Sequence, residues 1–389
     1  MKITPPITIK KLNDILPAET TLLMGAGPVP IPDEVAKANS LVISHLGEPM
    51  NTIVGKIQEM SQYLFQTKSS KIFGISGPSS AAMEMAVTSL LYPGRKVLVL
   101  NLGTFSNRFV ELSRGVGAEV TELFPEPCSP FRAKDVAVAL EKGNFDVLTI
   151  VQGETSCGIK NVELEQIVKL AKSKNVKTIV DTVCTLSTMP LYMDEWEIDI
   201  VVTGGQKGLS SVAGVSLIAF SEETFEFVAS RQVDMPHWCL DPRRAYKFWC
   251  KHEYHYTAPV NGINALYEAL RLICEETLEK RHERHASSSK LIQTSLEKMG
   301  LTLYAPAECR LNSVIAINNP EGVNSKELIT YIKDEFNVEI SGAFGLNVVR
   351  IGQMGEQCRP QNVKRVLEAL GKAYVHFGVK LDLSVLETL

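Results

Sequence analysis

An aspartate that closes one apolar run and a lysine that follows the next are the residues of this chain best placed to do chemistry. Asp181 ends the run Lys177–Asp181. Lys207 comes 26 positions later, in Thr203–Gly204–Gly205–Gln206–Lys207 after the run Ile198–Thr203. Short β-branched runs read as buried parallel strands, and in open α/β sheets ligands sit at the carboxyl ends of such strands. Two readings are open at this point. One is an ion pair between surface loops. The other is a lysine amine forming a Schiff base with an aldehyde cofactor, while a carboxylate keeps the cofactor's pyridine nitrogen protonated so that the ring accepts electrons. The cofactor with those two needs is pyridoxal 5'-phosphate (PLP).

Five further places carry candidate groups. Ser76–Gly77–Pro78–Ser79–Ser80 lies between an expected strand and an expected helix, where free backbone N–H groups and the helix dipole favour a phosphate. A serine there is equally an ordinary N-cap. Glu154–Thr155–Ser156–Cys157–Gly158 closes a strand and reads either as a polar turn or as a set of hydroxyl donors for a phenolic oxygen. Phe105 follows the strand Lys96–Asn101, as core or as a ring able to cover a planar cofactor. Arg350 sits among Val348, Val349 and Ile351, and a guanidinium so flanked needs an anion, either a structural carboxylate or a substrate's. Gly25–Ala26–Gly27–Pro28 is a tight turn where backbone can approach a ligand closely.

Several classes are disfavoured. No Gly-x-x-x-x-Gly-Lys-Ser/Thr loop and no glycine-rich dinucleotide fingerprint occurs. The eight cysteines show no Cys-x-x-Cys spacing. His282/His285 and His252/His255 are one residue short of the His-Glu-x-x-His metal spacing, so no metal site is expected. A formal net charge of −4 with interspersed signs leaves no footprint for nucleic acid or an anionic membrane. No apolar run approaches 18 residues, and Met1–Lys11 lacks a secretory layout. A reducing, cytoplasmic setting is the expectation.

The elements that must position these groups alternate. Strands are expected at Lys71–Ser76, Lys96–Asn101, Ala118–Leu123, Asp146–Gln152, Lys177–Asp181, Ile198–Thr203 and Val215–Ser221, most of them separated by helical periods. That order implies an α/β fold with a mostly parallel central sheet covered by helices on both faces. Val228–His255 reads as irregular, and Asn261–Lys298 as one long helix or a pair broken near Ser287–Ser289. Beyond Gly300 an α+β pattern follows, with strands at Leu301–Tyr304, Ser313–Asn318, Val338–Ile340 and Val348–Ile351. The expected division is an N-terminal arm (1–20), a large domain (21–275) and a smaller C-terminal domain (276–389).

Gly153-Glu154-Thr155-Ser156-Cys157-Gly158, Val180-Asp181-Thr182-Val183, Pro190-Leu191-Tyr192-Met193-Asp194, Gly205-Gln206-Lys207 and Arg350-Ile351-Gly352 together make the chain recognisable. It resembles the class V, fold type I PLP-dependent aminotransferases, and among them the alanine–glyoxylate and serine–pyruvate group. The match is collinear over nearly the whole chain. The resemblance implies that Lys207 is the Schiff-base lysine and proton carrier, that Asp181 pairs with the pyridine nitrogen, and that Val183 and Phe105 sandwich the ring. It implies that Thr155 contacts the ring oxygen, and that Ser79, Ser80 and Gln206 hold the phosphate. A homodimer is implied, with Tyr254 and Thr257 completing the neighbouring subunit's site. Arg350 would bind the substrate carboxylate, with Gly27 in the opposite wall. Three departures stand out: Phe105 where Trp or Tyr is common, Pro78 in a phosphate loop that usually reads Ser-Gly-Ser-Gly, and Gln152 where His is common.

The activity so implied is ping-pong transamination between alanine or serine and glyoxylate or pyruvate. The alternatives are a 2-aminoethylphosphonate–pyruvate or ureidoglycine–glyoxylate aminotransferase, a cysteine desulfurase acting through a thiol such as Cys358, and a non-catalytic PLP-binding protein.

Overall fold

The computed structural model describes residues 9–388. Residues 1–8 of the expected arm and Leu389 lie outside them. The central feature is a seven-stranded sheet. Its strands in spatial order are Ile72–Ser76, Val215–Phe220, Ile200–Gly204, Lys177–Asp181, Val147–Val151, Lys96–Leu100 and Glu119–Leu123. Val215–Phe220 runs antiparallel to both neighbours, and every other pairing is parallel. The central strands are buried along nearly their full lengths instead of alternating, because helices cover both faces. Each fully buried Val, Leu, Ile or Phe in that core contributes roughly 1.5–3 kcal/mol, which makes the sheet a stiff frame.

Register decides where the polar ends emerge. Val151 pairs with Asp181, and Asp181 with Val202, so three neighbouring strands finish within a few residues of one another. Ser76 lies opposite Val215, which brings the turn before the helix Ser79–Leu90 to the same edge.

A second apolar cluster is built by Ile315, Ile317, Val349 and Ile351 with the helices Ser325–Phe336 and Pro360–His376. Its strands Val314–Asn318, Val348–Gly352 and Ser341–Gly342 form a three-stranded antiparallel sheet. Met24 belongs to this cluster, and Leu22–Leu23 pairs in parallel with Val338–Glu339. The turn Gly25–Gly27 therefore leaves the second cluster and points back to the large sheet.

Three expectations need correction. The stretch expected to be irregular holds the end of the helix Glu222–Ala229 and the helix Pro242–Lys251, where Asp241 accepts from the Arg243 N–H and Pro242 occupies the first turn. The long helical region breaks at Thr277 (φ 68°) into Val260–Glu276 and Leu278–Lys298, and Thr277 caps the second helix through its side chain. Ser288 and Ser289 are buried and remain helical. The expected strand Leu301–Tyr304 shrinks to a single bridge, Leu303 to Ile317.

Candidate active site

At the sheet edge lies a cavity of about 210 Å³. Ser79, Ser80, Phe105, Thr155, Asp181, Val183, Gln206 and Lys207 all line it. Asp181 ends its strand and is buried, and its Oδ1 accepts the Val183 N–H at 2.7 Å. Burial pushes its carboxyl up to about 7, with Glu154 adding to the shift and the Val183 bond, Arg108 and Lys207 opposing it. A cation placed against that carboxyl would bring it back down. Lys207 donates from Nζ to the Ala26 carbonyl. Burial pushes its ammonium below the usual value, aided by Arg350 and Arg108 and opposed by Cys184 and Asp181.

The opposite end of the cavity is built for an anion. Ser79 and Ser80 open the helix Ser79–Leu90, whose first N–H groups have no intrahelical acceptor. Gln206 Nε2 donates to Ser79 Oγ at 3.0 Å, while its buried Oε1 has no partner among the described residues. A Cβ at Gly204 would overlap Ser79 Oγ, so glycine is required where strand meets helix. Pro78 stands just before the helix and its carbonyl takes the Ala81 N–H at 2.8 Å. The amides and hydroxyls of Ser79 and Ser80 remain for a ligand.

Phe105 is held by Glu154, an acid that from sequence alone is one polar residue of a turn. Glu154, fully buried, accepts the N–H groups of Phe105 (3.2 Å) and Ser106 (2.9 Å) and the Ser156 hydroxyl (2.5 Å). It staples the Phe105 turn to the Thr155 turn. The Arg108 guanidinium lies 4.7 Å from the Phe105 ring centroid and also lines the cavity.

Arg350 is buried, and its nitrogens donate to the Gly342 carbonyl and, at 2.7 Å, to the Thr155 carbonyl. Among the described residues no carboxylate forms an ion pair with it. Burial pushes the Arg350 guanidinium below its usual value and Glu154 opposes that shift only in part, so an anionic ligand would offset the remaining charge. Neither Arg350 nor Gly25–Gly27 lines the cavity itself; the turn Gly25–Gly27 lies against Lys207, whose Nζ donates to the Ala26 carbonyl. Gly25 O accepts from Gln357 at 2.7 Å and the Ala26 N–H donates to Ser341 Oγ at 3.0 Å. Gly27 has φ 96°, and a Cβ there would sit 2.5 Å from Lys207 Nζ. Gly27→Ala is expected to lower turnover about 100-fold by displacing the lysine, with a much smaller change in melting temperature. Steady-state kinetics beside thermal melts check this.

The remaining sequence-derived residues lie elsewhere. Tyr254 is 60% exposed, Thr257 is exposed, and neither lines this chain's cavity. Gln152 neighbours Asp181 through the backbone (N to Asp181 O, 2.8 Å), but its side chain turns to the Pro190 carbonyl at 2.9 Å and does not line the cavity.

A family model described as aminotransferase class-V matches residues 31–361. The chain belongs to the class-V aminotransferases. It is 33% identical over 383 residues to the alanine–glyoxylate aminotransferase of Mus musculus, covering 96% of this chain and 92% of that protein. The crystal structure of ureidoglycine–glyoxylate aminotransferase from Bacillus subtilis superposes with a TM-score of 0.91 at 28% identity, covering 96% of this chain and 97% of that one. That of alanine–glyoxylate aminotransferase from Nostoc sp. gives a TM-score of 0.90 at 30% identity, covering 95% and 100%.

The class-V family implies PLP, and this cavity fits it. One end offers a helix N-terminus with two hydroxyls, and the other a buried carboxyl whose ionised form a nearby cation would favour. A desulfurase-like thiol at Cys358 does not fit. Cys358 is buried, its Sγ donates to the Gly355 carbonyl and accepts from Arg284 Nη1 at 2.7 Å, and burial pushes the thiol up. Beyond the residues expected of a class-V aminotransferase, Arg108, Met83, Gly153 and Cys184 also line the cavity. Arg108 stands one helical turn after Phe105, the one signal that could have found it.

Proposed function

We propose that this aminotransferase moves the amino group of alanine or serine to glyoxylate or pyruvate in a ping-pong cycle, using PLP held in the cavity described above. The observation that carries the reading is the meeting of two groups in one cavity: a lysine that burial favours in its neutral form, and a buried carboxyl with room for a cation. When bound, the cofactor supplies an electron sink conjugated to the substrate's α-carbon. Lys207 would hold it and, as a neutral amine, would take up and return the α-proton. Asp181 would pair with the ring nitrogen, and Phe105 and Val183, which line the same cavity, would pack on the ring. Thr155 reaches the ring oxygen, and Ser79, Ser80 and Gln206 hold the phosphate.

Arg350 binds the α-carboxylate. Its planar fork suits two carboxylate oxygens, and the Gly342 and Thr155 carbonyls hold it in place. Gly27 lies against Lys207, where an added Cβ would come within 2.5 Å of its Nζ. Arg350→Met is expected to raise KM for the amino acid about 100-fold or more while leaving the cofactor bound. Saturation kinetics and the absorbance of the loaded protein measure the two effects. The donor itself is tested with a panel of L-alanine, L-serine, (S)-ureidoglycine and 2-aminoethylphosphonate against glyoxylate and pyruvate. Preference for either of the last two would overturn the alanine/serine assignment.

A homodimer belongs to the same proposal, with Tyr254 and Thr257 of each chain completing the other's phosphate site. Their exposure away from their own cavity supports it. Sedimentation should give twice the 42.9 kDa of the chain. A cytoplasmic setting is also proposed, supported by eight cysteines that are all free thiols.

A further inference from the structure

One stretch of the helix Leu278–Lys298 grips the segments that follow Asp181, Lys207 and Arg350. The Arg281 side chain is buried. It donates from Nη2 to the Gly208 carbonyl at 2.7 Å and from Nε to Ser187 Oγ at 3.1 Å, and the Ser187 hydroxyl itself donates to the Gly208 carbonyl at 2.7 Å. Gly208 directly follows Lys207, and Ser187 lies on the turn that follows Asp181. The two turns touch backbone to backbone here, since a Cβ on Gly208 would overlap the Leu186 carbonyl. One helical turn further on, His285 uses both ring nitrogens: Nδ1 meets the Arg281 carbonyl at 2.7 Å, and Nε2 accepts the Gly355 N–H at 3.0 Å. Ser288 donates to Gln353 Oε1. Gln353 and Gly355 lie just past the strand that carries Arg350.

Burying a guanidinium is unfavourable unless it is paired and fully hydrogen-bonded. Arg281 pairs with Glu276 at 2.8 Å, yet Arg284 already holds both oxygens of Glu276, at 2.5 and 2.8 Å. Glu276 therefore does not need Arg281 for charge balance, and the distinctive contacts of Arg281 are those to Ser187 and Gly208. Strand pairing fixes where Asp181 and Lys207 leave the sheet, but not how the two following turns sit against each other. A ring spanning an acid and a lysine needs both placed to within about 0.5 Å.

We propose that Arg281 is a positioning residue for amine transfer: it bolts the Lys207 turn to the Asp181 turn through Gly208 and Ser187, and with His285 ties both to the loop behind Arg350. This rests on the reading of Lys207 as the cofactor's anchor.

The test uses the cofactor-loaded full chain as wild type, Arg281→Lys and Ser187→Ala. A lysine keeps the charge but cannot reach both partners in a fixed fork. Three quantities are read: kcat and KM for amine transfer, the pH midpoint of the absorbance of lysine-bound cofactor, and the melting temperature. Arg281→Lys is expected to lower kcat about 10- to 100-fold with KM little changed, and to move the spectral midpoint by about half a pH unit or more. Ser187→Ala should move both quantities in the same direction by less. A folded Arg281→Lys with the wild-type midpoint overturns the proposal, whatever its kcat, because a merely structural role would leave the lysine's titration alone. If Arg281→Lys does not fold, Ser187→Ala decides by the same criterion. A wild-type protein without the lysine-bound absorbance would instead overturn the reading of Lys207, a distinct failure.

Discussion

Lys207→Ala is expected to lower amine transfer by about 10⁴-fold or more, the largest effect of any single substitution in the chain. The substitution removes the covalent anchor, the base that carries the α-proton and the donor to the Ala26 carbonyl together. The rest of the cavity stays intact: Ser79, Gln206 and Asp181 keep their bonds, so the variant should still bind the cofactor, without the absorbance of a lysine adduct. Lys207→Arg separates charge from basicity. It restores a cation next to Ala26, but a guanidinium does not deprotonate in a protein, so activity should not return. Single-turnover rates with L-alanine, read beside the absorbance spectrum, measure both variants. An Arg variant with substantial turnover would show that the amine's basicity is not what the site uses.

Asp181→Asn is expected to lower turnover about 10²- to 10³-fold, the scale of losing one preorganised electrostatic partner. The amide still accepts the Val183 N–H but carries no charge to hold the ring nitrogen's proton. The same substitution has an opposite effect on the protein without cofactor. Burial raises the Asp181 carboxyl to about 7 in the folded chain from an ordinary value of 3.8. Between those values the folded state binds more protons than the unfolded one. Asp181's contribution to stability is therefore complete below about pH 4 and is lost as the pH rises through 7. At pH 8 its ionised form burdens the cofactor-free protein by an amount on the order of a few kcal/mol. Cofactor-free Asp181→Asn should then melt higher than wild type at pH 8, with the gap closing towards pH 5. Thermal melts at the two pH values measure this, and equal melting temperatures at pH 8 would show that the buried charge is compensated elsewhere.

Much of the site was legible because strand ends announce themselves. Val147–Val151, Lys177–Asp181 and Ile200–Gly204 are β-branched runs buried on both faces, and their polar ends had to emerge at one sheet edge. Register then aligned Asp181 with its neighbours, something composition cannot express. Glu154 was harder to read. It looked like one polar residue in a turn, and its task of holding the amides of Phe105 and Ser106 depends on a contact across 49 positions of chain. Arg281 was invisible for the same reason, since its partners Ser187 and Gly208 lie 94 and 73 positions away. The break at Thr277 was misplaced to the serines at 287–289, because serine is a weak helix former in solution but packs well when buried against Gln353. The helix Pro242–Lys251 was missed although Asp241–Pro242 is a start signal, since the surrounding Trp, Pro and Arg masked its period.

Leu22–Leu23 lies along Val338–Glu339, and Ser341, which holds Ala26, stands 315 positions further along the chain. Protein is made from the N-terminus, so the large sheet has all its strands once Phe220 has emerged from the ribosome. The Gly25–Gly27 turn, made before that sheet, must then wait for Ser341 before the Ala26 N–H has its acceptor. The residues lining the cavity all lie between Pro78 and Lys207, whereas Ser341 and Arg350 follow more than 130 positions later. Cofactor capture would precede catalytic competence during synthesis, and early capture would lend stability to the half-made protein while the following residues are added.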